Sequence, residues 1–168
     1  MAYCLLRHHV HLIVVPSTSE SLAKGISEAH IRYTRHINFK KKWRGHLWQG
    51  RFSSHPMDNR YSMEAVRYVE LNPVRARESR IAWQYRWSSA KAHVMGENDA
   101  LVDVKPMLQR VPDWKAYLLE GVHRESIRRI REHEVSGLPL GDKLFVKSLE
   151  RTYKRTLVKQ KPGPRRDN

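Results

Sequence analysis

Two short patterns in this chain combine residue types and spacings that suit phosphodiester chemistry. His9 and His11 lie in the stretch YCLLRHHVHLIVV, where the period-two alternation of a strand puts both imidazoles on one face. Tyr68 and Asn72 lie in RYVELNPVRA, where a four-residue spacing puts a phenol and an amide on one face of a helix. Nitrogen and oxygen donors without thiolate suit Mg²⁺ or Mn²⁺, and the imidazoles favour Mn²⁺. The two patterns predict a metal site formed by His9, His11 and Asn72, beside Tyr68 as the nucleophile.

A tyrosine nucleophile would make this site a strand-transfer centre rather than a simple nuclease. A free phenol has a pKa of about 10, so it needs a metal ion or a nearby cation to attack at neutral pH. Attack on a phosphodiester would give a covalent phosphotyrosine, which keeps the bond energy for rejoining. A bound ion would polarise the scissile phosphate and stabilise the leaving 3′ oxygen. Simpler interpretations also exist: an incidental histidine pair, and a core-edge tyrosine with its hydroxyl in water.

The overall charge of the chain indicates a polyanionic partner. Its 168 residues carry a formal net charge of +15, for which nucleic acid is the usual explanation. The single cysteine, Cys4, excludes an internal disulfide and a cysteine-based zinc site. The most apolar run, residues 12–15, is too short to cross a bilayer, and Arg7 interrupts the only candidate for a signal peptide. We therefore predict a cytoplasmic protein without a membrane partner.

Residues 32–51 combine cations with aromatic rings. This segment holds seven Lys or Arg and no acid, with Tyr33, Phe39, Trp43 and Trp48 interleaved. Cations for phosphates and rings for base stacking are typical of a single-strand groove, although a solvated basic helix with core tryptophans is an equal alternative. Arginines that flank the tyrosine could also contact phosphate. The predicted DNA contacts are Arg32, Arg35, Lys40, Lys41, Lys42, Trp43, Arg44, Arg51, Arg67 and Arg75.

Hydrophobic spacing in the first half predicts alternating strands and helices. Residues 3–15 are apolar on both faces, which predicts a strand in the interior of a sheet. Residues 20–37 have helical spacing, and residues 47–57 resemble a strand or hairpin. A second helix is predicted over residues 60–72, ending near Asn72 because a following proline disfavours helical backbone.

The second half of the sequence predicts a helical, basic region. After an irregular, tryptophan-rich connection, short helices are expected in PDWKAYLLEGV and ESIRRIREHE, and a longer one in GDKLFVKSLERTYKRTL. The last residues are basic, contain proline and glycine, and are expected to be disordered. The predicted class is α+β, with a catalytic domain over residues 1–98, a helical region over 99–157 and a tail over 158–168.

The segments HHVHLIVVP, GHLWQGRF, RYVELNPVRA, WSSAKAH and LGDKLFVKSLE occur here in the order seen in one family. In this the chain resembles the REP-associated tyrosine transposases, relatives of the HUH single-strand transposases of the IS200-like type. The resemblance implies a ferredoxin-like antiparallel sheet with flanking helices, His9 and His11 as metal ligands, Tyr68 as the catalytic residue and Asn72 as a further ligand. It also implies cleavage of single-stranded DNA near hairpin-forming repeats through a 5′-phosphotyrosine, by a monomer or a homodimer. The resemblance further implies that the basic C-terminal region recognises the hairpin, through residues that include Arg155, Arg165 and Arg166.

Two departures from the family pattern affect these expectations. Arg7-His8 replaces the usual Pro-Asn before the first ligand, which adds charge without removing a ligand. Relatives also have a strand and a helix before the HUH strand, and we expect both to be missing here. Such an N-terminally truncated fold would expose a sheet edge and apolar surface. A relic, a misplaced start codon or a partner that completes the sheet would each explain it.

Three other functions remain open from the sequence. A truncated relative could hold hairpin DNA and perform no chemistry. A basic RNA-binding protein would explain the charge, but not the pairing of the two patterns. A metal-dependent phosphodiesterase with activated water would turn over without a covalent intermediate and without Tyr68.

Overall fold

The structure is a computed structural model that describes residues 1–158. Two short strands are followed by helices of very different length, and a single 3-10 turn, Ala82–Gln84, precedes the fourth helix. The strands are β1 (Ala2–Leu5) and β2 (Val10–Ile13), and the helices are α1 (Ser21–Lys41), α2 (Asn59–Glu70), α3 (Asn72–Arg75), α4 (Ala90–Met95), α5 (Lys105–Leu108), α6 (Trp114–Leu119), α7 (Arg124–Ser136) and α8 (Lys143–Tyr153).

The two strands form an antiparallel hairpin in which Ala2 lies opposite Ile13 and Leu5 opposite Val10. The backbone amide of Leu6 donates to the carbonyl oxygen of His9 at 2.9 Å and closes the connection. The prediction of one strand over residues 3–15 was therefore wrong, because the exposed polar residues 7–9 form a turn in the middle of that stretch. Val10, one of the apolar residues predicted to be interior, is exposed.

Helix α2 carries the tyrosine and is strongly determined by its sequence. Asp58 caps it, because the side chain accepts hydrogen bonds from the amides of Arg60 and Tyr61. The second half of α2, residues 65–70, is buried. After Leu71 the chain enters α3, in which a proline occupies the first turn, a position where proline is well tolerated. The predicted helix over 60–72 is thus present, but it ends two residues early and Asn72 begins the next helix.

The core joins the hairpin to α2 and to helices from the second half of the chain. Cys4 from β1 and Val66 from α2 are fully buried, and Trp114, Leu118 and Ile130 from α6 and α7 belong to the same cluster. Burial of these apolar side chains stabilises this part of the molecule.

Contacts between residues divide the chain into two compact units. The first unit combines residues 1–13 with the chain from residue 55 onward, and the second comprises residues 14–54 with helix α1. Residues of α5, α6 and α7 share the core of the first unit, and the predicted boundary near residue 98 stays a prediction.

The α+β class is confirmed, with a two-stranded antiparallel sheet among residues 1–158. The ferredoxin-like arrangement and the loss of a first strand and helix stay predictions. The predicted strand around 47–57 is not formed; only Met57 makes an isolated bridge, with Leu140. Within the described part of the chain, no helix combines the length and the apolar character needed to cross a membrane.

Candidate active site

The hairpin and α2 bring two of the predicted ligands and the tyrosine into one cluster within the first unit. His9 immediately precedes β2, and His11 lies on β2 opposite Cys4. The imidazole centroids of His9 and His11 are 4.9 Å apart, and the rings are nearly perpendicular. The ring of Tyr68 lies 6.0 Å from that of His11, also in an edge-to-face arrangement. The two patterns are far apart in the sequence, but their side chains are neighbours in the fold.

Tyr68 lies on the buried side of α2. The residue is only 4% exposed and belongs to the hydrophobic core cluster of the first unit. Asn72 is 8% exposed, and its Nδ2 atom is buried without a hydrogen-bond partner among the described residues. A buried amide nitrogen without a partner is unfavourable in a protein core. Nδ2 of Asn72 can therefore still donate a hydrogen bond.

Arg75 connects the tyrosine to the asparagine. Its guanidinium carbon lies 3.9 Å from the centroid of the Tyr68 ring, and its Nη2 donates to Oδ1 of Asn72 at 3.0 Å. Burial lowers the pKa of Arg75 from its ordinary value, while the interaction with Tyr68 acts in the opposite direction. The site therefore holds a desolvated positive charge directly over the predicted nucleophile, where it would stabilise a phenolate or a bound phosphate.

His11 is held in the neutral form. Burial, followed by the charges of His9 and Arg75, lowers its pKa to about 4. Its Nδ1 lies 3.5 Å from Oε1 of Glu134, which comes from α7. Because the imidazole is neutral at pH 7, this contact joins an uncharged ring to a carboxyl group and is not an ion pair. Burial raises the pKa of Glu134, and the nearby charges of Arg131 and Arg75 oppose that rise.

The donor set suits a hard or borderline divalent ion. Among residues 1–158, no group of three or more histidine, cysteine or acidic side chains is arranged to hold a metal ion. An ion at this position would therefore need the two imidazoles and the amide oxygen of Asn72. A neutral imidazole is the ligand form of histidine, so the low pKa of His11 is compatible with that use.

The predicted DNA contacts of the second unit are exposed. Phe39 is 90% exposed and Trp43 is 57% exposed, whereas Trp48 stacks on His30 at 3.9 Å and also meets Tyr33. Trp48 is thus packed against its neighbours, whereas Phe39 and Trp43 face outward and Tyr33 is 52% exposed. The exposed cations of this unit from the predicted set are Arg32, Arg35, Lys40, Lys41, Lys42, Arg44 and Arg51, of which Arg32 pairs with Glu28.

Arg67, another predicted DNA contact, points into the protein. It is 8% exposed, its Nη1 is 2.6 Å from Oε2 of Glu120, and its guanidinium carbon lies 4.2 Å from the Tyr117 ring centroid. Its charge is engaged by these groups, so the structure gives it a packing role rather than a place on an outer surface. Arg155 is exposed, and the predicted contacts Arg165 and Arg166 lie outside the described residues.

Sequence reasoning missed two features near the site. One is Glu134, whose contact with His11 joins distant parts of the chain and leaves no local signal. The other is the fully buried carboxyl group of Glu70, which accepts from Ser89 at 2.5 Å, from Trp114 at 2.7 Å and lies 2.6 Å from Nδ1 of His93. An acid within the run VEL, between Tyr68 and Asn72, was a signal that could have suggested a buried polar partner.

Residues 1–72 match the family model described as transposase IS200 like. This segment contains His9, His11, Tyr68 and Asn72, so it includes the predicted metal ligands and the predicted nucleophile. The match supports a relationship to that family, and it suggests a transposase function with DNA as the partner. A search of curated proteins and a search of solved structures each found no match.

Proposed function

We propose that the protein is a DNA transposase of the HUH tyrosine type, of the REP-associated kind, that cleaves and rejoins single-stranded DNA at hairpin-forming repeats. The observation that carries the proposal is the clustering of His9, His11 and Tyr68 within the segment that matches the family model. Neither a core-edge tyrosine nor an incidental histidine pair requires these three rings to meet.

His9, His11 and the amide oxygen of Asn72 are the residues that would hold Mg²⁺ or Mn²⁺. When bound, such an ion polarises the scissile phosphate and stabilises the leaving oxygen. Asn72 Oδ1 already accepts one hydrogen bond from Arg75, and its second lone pair is left for a cation.

Tyr68 would act as the nucleophile. Its phenolic oxygen loses its proton and forms a bond to phosphorus while the bond from phosphorus to the 3′ oxygen breaks, and that 3′ oxygen takes up a proton and leaves as a hydroxyl. The 5′ phosphate then remains on Tyr68, and attack by a 3′ hydroxyl on that phosphate reverses the step. The Arg75 guanidinium, 3.9 Å from the ring centroid, would stabilise the negative charge that develops on the phenol oxygen and the phosphate.

The second unit would contribute binding rather than chemistry. Its exposed lysines and arginines would neutralise phosphates, and the exposed rings of Phe39 and Trp43 offer stacking faces for bases. Sequence-independent contacts of this kind suit the single-stranded part of a DNA substrate.

A second candidate function is hairpin-DNA binding without chemistry. The specific observation in its favour is the 4% exposure of Tyr68, which leaves little of this residue open to a phosphate. A binding protein of this kind would retain salt-sensitive affinity and form no covalent product.

A denaturing-gel assay for the protein–DNA adduct distinguishes these functions. The protein is incubated with 3′-labelled single-stranded hairpin DNA from its own genomic neighbourhood and with Mg²⁺ or Mn²⁺, in parallel with Tyr68→Phe. We expect label to migrate with the parent protein and not with the variant. Tyr153→Phe is the control, because Tyr153 is a 69% exposed tyrosine on α8, outside the site, and this variant should form the adduct normally.

Three other results would exclude the proposed chemistry. Label that survives Tyr68→Phe would place the nucleophile elsewhere. Bound hairpin without any adduct would support the binding protein, and cleaved DNA without any adduct would support a phosphodiesterase that activates water.

Loss of cleavage in His9→Ala, with a weaker response to added Mn²⁺, would support the metal-ligand role.

A further inference from the structure

A carboxyl group from the second half of the chain lies beside one of the two histidines. Glu134, on α7, places Oε1 at 3.5 Å from Nδ1 of His11. The side chains are 32% and 19% exposed, so water screens this contact only in part. Glu134 lies outside the segment that matches the family model, which ends at residue 72.

A neutral imidazole carries one proton, and its surroundings decide which nitrogen holds it. A carboxylate beside Nδ1 favours the proton at Nδ1, because an N–H group there can donate to the carboxylate oxygen. The lone pair is then on Nε2, at the opposite side of the ring. At 3.5 Å the contact is longer than a good hydrogen bond, and such contacts commonly tighten when a site is loaded.

We propose that Glu134 is a positioning residue that sets the tautomer and the orientation of His11, so that Nε2 is the nitrogen presented to the metal ion. The metal-binding consequence rests on the function proposed above, whereas the choice of tautomer does not. The inference also means that α7 completes a site whose other residues all lie in the first 75 positions.

The position of Glu134 does not depend on its contact with His11. Ile130, one turn earlier on α7, is 4% exposed in the core. Arg129 donates to the Tyr61 hydroxyl at 2.8 Å, which ties α7 to α2. Nδ1 of His133 lies 2.8 Å from the carbonyl oxygen of Leu138 at the end of the helix. These contacts fix the position of α7, and with it the position of the Glu134 carboxyl group beside His11.

Charge around the carboxyl group favours its role as an acceptor. Arg131 and Arg75 are positive groups near Glu134, and they oppose the rise in its pKa that burial causes. A carboxylate oxygen accepts a hydrogen bond, so a ring nitrogen that bonds to it is the donor.

The first test is the tautomer of His11 in metal-free protein, read from long-range ¹H–¹⁵N correlations of the imidazole. We expect the Nδ1–H form in the parent. Glu134→Ala should shift His11 toward the Nε2–H form, and Glu134→Gln should retain much of the Nδ1–H form because its amide oxygen still accepts. Glu132→Gln is the matched control, since Glu132 is an exposed acid on the same helix and its contact is with Arg128 at 4.0 Å.

The second test is Mn²⁺ affinity, measured from the EPR signal of the free ion. Loss of an outer partner of a ligand histidine typically weakens metal binding about 10- to 100-fold, so we expect a loss of that order in Glu134→Ala. We expect a smaller loss in Glu134→Gln and no change in Glu132→Gln.

The two tests separate failure of this inference from failure of the proposed function. The inference is overturned if His11 in the parent carries its proton on Nε2, or if Glu134→Ala leaves the tautomer unchanged. If the tautomer responds as expected but the parent binds no Mn²⁺, the coupling between Glu134 and His11 stands and the metal role fails.

Discussion

At the scale of single residues, burial rather than sequence spacing sets the chemistry of the site. Tyr68, His11 and Arg75 meet in a partly desolvated cluster, where charge interactions are stronger than in water. Burial keeps His11 neutral and leaves the Arg75 guanidinium against the face of the phenol ring. The tyrosine in this cluster therefore has one positively charged neighbour, Arg75, and one uncharged neighbour, the imidazole of His11.

The low pKa of His11 predicts a loss of stability in mild acid. The pKa is about 4 in the folded protein and 6.5 ordinarily, so the unfolded chain binds the proton more tightly. Stability from this group is therefore fully present above about pH 6.5 and is lost progressively as the pH falls toward 4. Since one pKa unit corresponds to about 1.4 kcal/mol, the loss from His11 is at most about 3.5 kcal/mol. Urea unfolding at several pH values across this range measures it.

A variant isolates the contribution of His11 from those of other groups. The pKa of His55 is also lowered by burial and contributes in the same direction, while the raised pKa of Glu134 acts in the opposite direction. His11→Gln should therefore reduce the acid loss without abolishing it. His36→Gln changes an exposed position in α1. As the pH falls, this variant should lose as much stability as the parent does. An unchanged acid loss in His11→Gln would show that His11 does not have its low pKa in solution.

At the scale of elements, local sequence patterns predicted the helices better than the strands. α1, α7 and α8 lie where helical spacing placed them, and α2 has a capping aspartate at its start. The hairpin was missed because its turn, residues 6–9, contains no glycine, proline, asparagine or aspartate, which are the usual markers of a turn.

The site was predictable only in part, for a physical reason. His9 and His11 are two residues apart, and Tyr68 and Asn72 share a stretch with strong helical signals, so each pair follows from local geometry. The contact between the pairs, and the approach of Glu134, depend on how the hairpin, α2 and α7 pack. Such packing depends on contacts between residues far apart in the sequence. The spacing of residues within a short motif does not predict these contacts.

The buried carboxyl group of Glu70 predicts a strong dependence of stability on one side chain. It joins α2 to α4 and α6 through Ser89, His93 and Trp114, and it is fully buried. Glu70→Ala would leave the donors of Ser89 and Trp114, and the facing nitrogen of His93, without their partner in the core, so we expect a loss of about 3–5 kcal/mol in the free energy of unfolding. Urea denaturation of the parent and the variant measures this difference.

A comparison with an exposed acid makes the result specific. Glu97→Ala removes a carboxyl group at an exposed position and should change stability by no more than about 0.5 kcal/mol. Glu70→Gln keeps the shape but turns a donor toward groups that need an acceptor, so it should also be destabilised. A Glu70→Gln protein as stable as the parent would contradict the arrangement of hydrogen bonds in the structure.

At the scale of the whole molecule, the positive charge is spread over both units but is concentrated in one. Residues 32–51 contain seven lysines and arginines and no acid, and all seven are exposed. A net charge of +15 would attract any nucleic acid. The electrostatic part of the DNA affinity could come from residues 32–51 or from the average charge of the whole surface. Binding is localised only if most of it comes from residues 32–51.

Salt dependence of DNA binding distinguishes a localised surface from diffuse attraction. For single strands, each phosphate contact contributes about 0.7 to the slope of log affinity against log salt concentration. Replacing Lys40, Lys41 and Lys42 by alanine should therefore reduce the magnitude of that slope by about 2 if each lysine contacts a phosphate. Replacing Lys91, Lys105 and Lys143, which are exposed lysines in the first unit, makes the same change in net charge and should reduce the slope much less. Equal reductions in the two triple variants would show that overall charge, and not the surface around α1, holds the DNA.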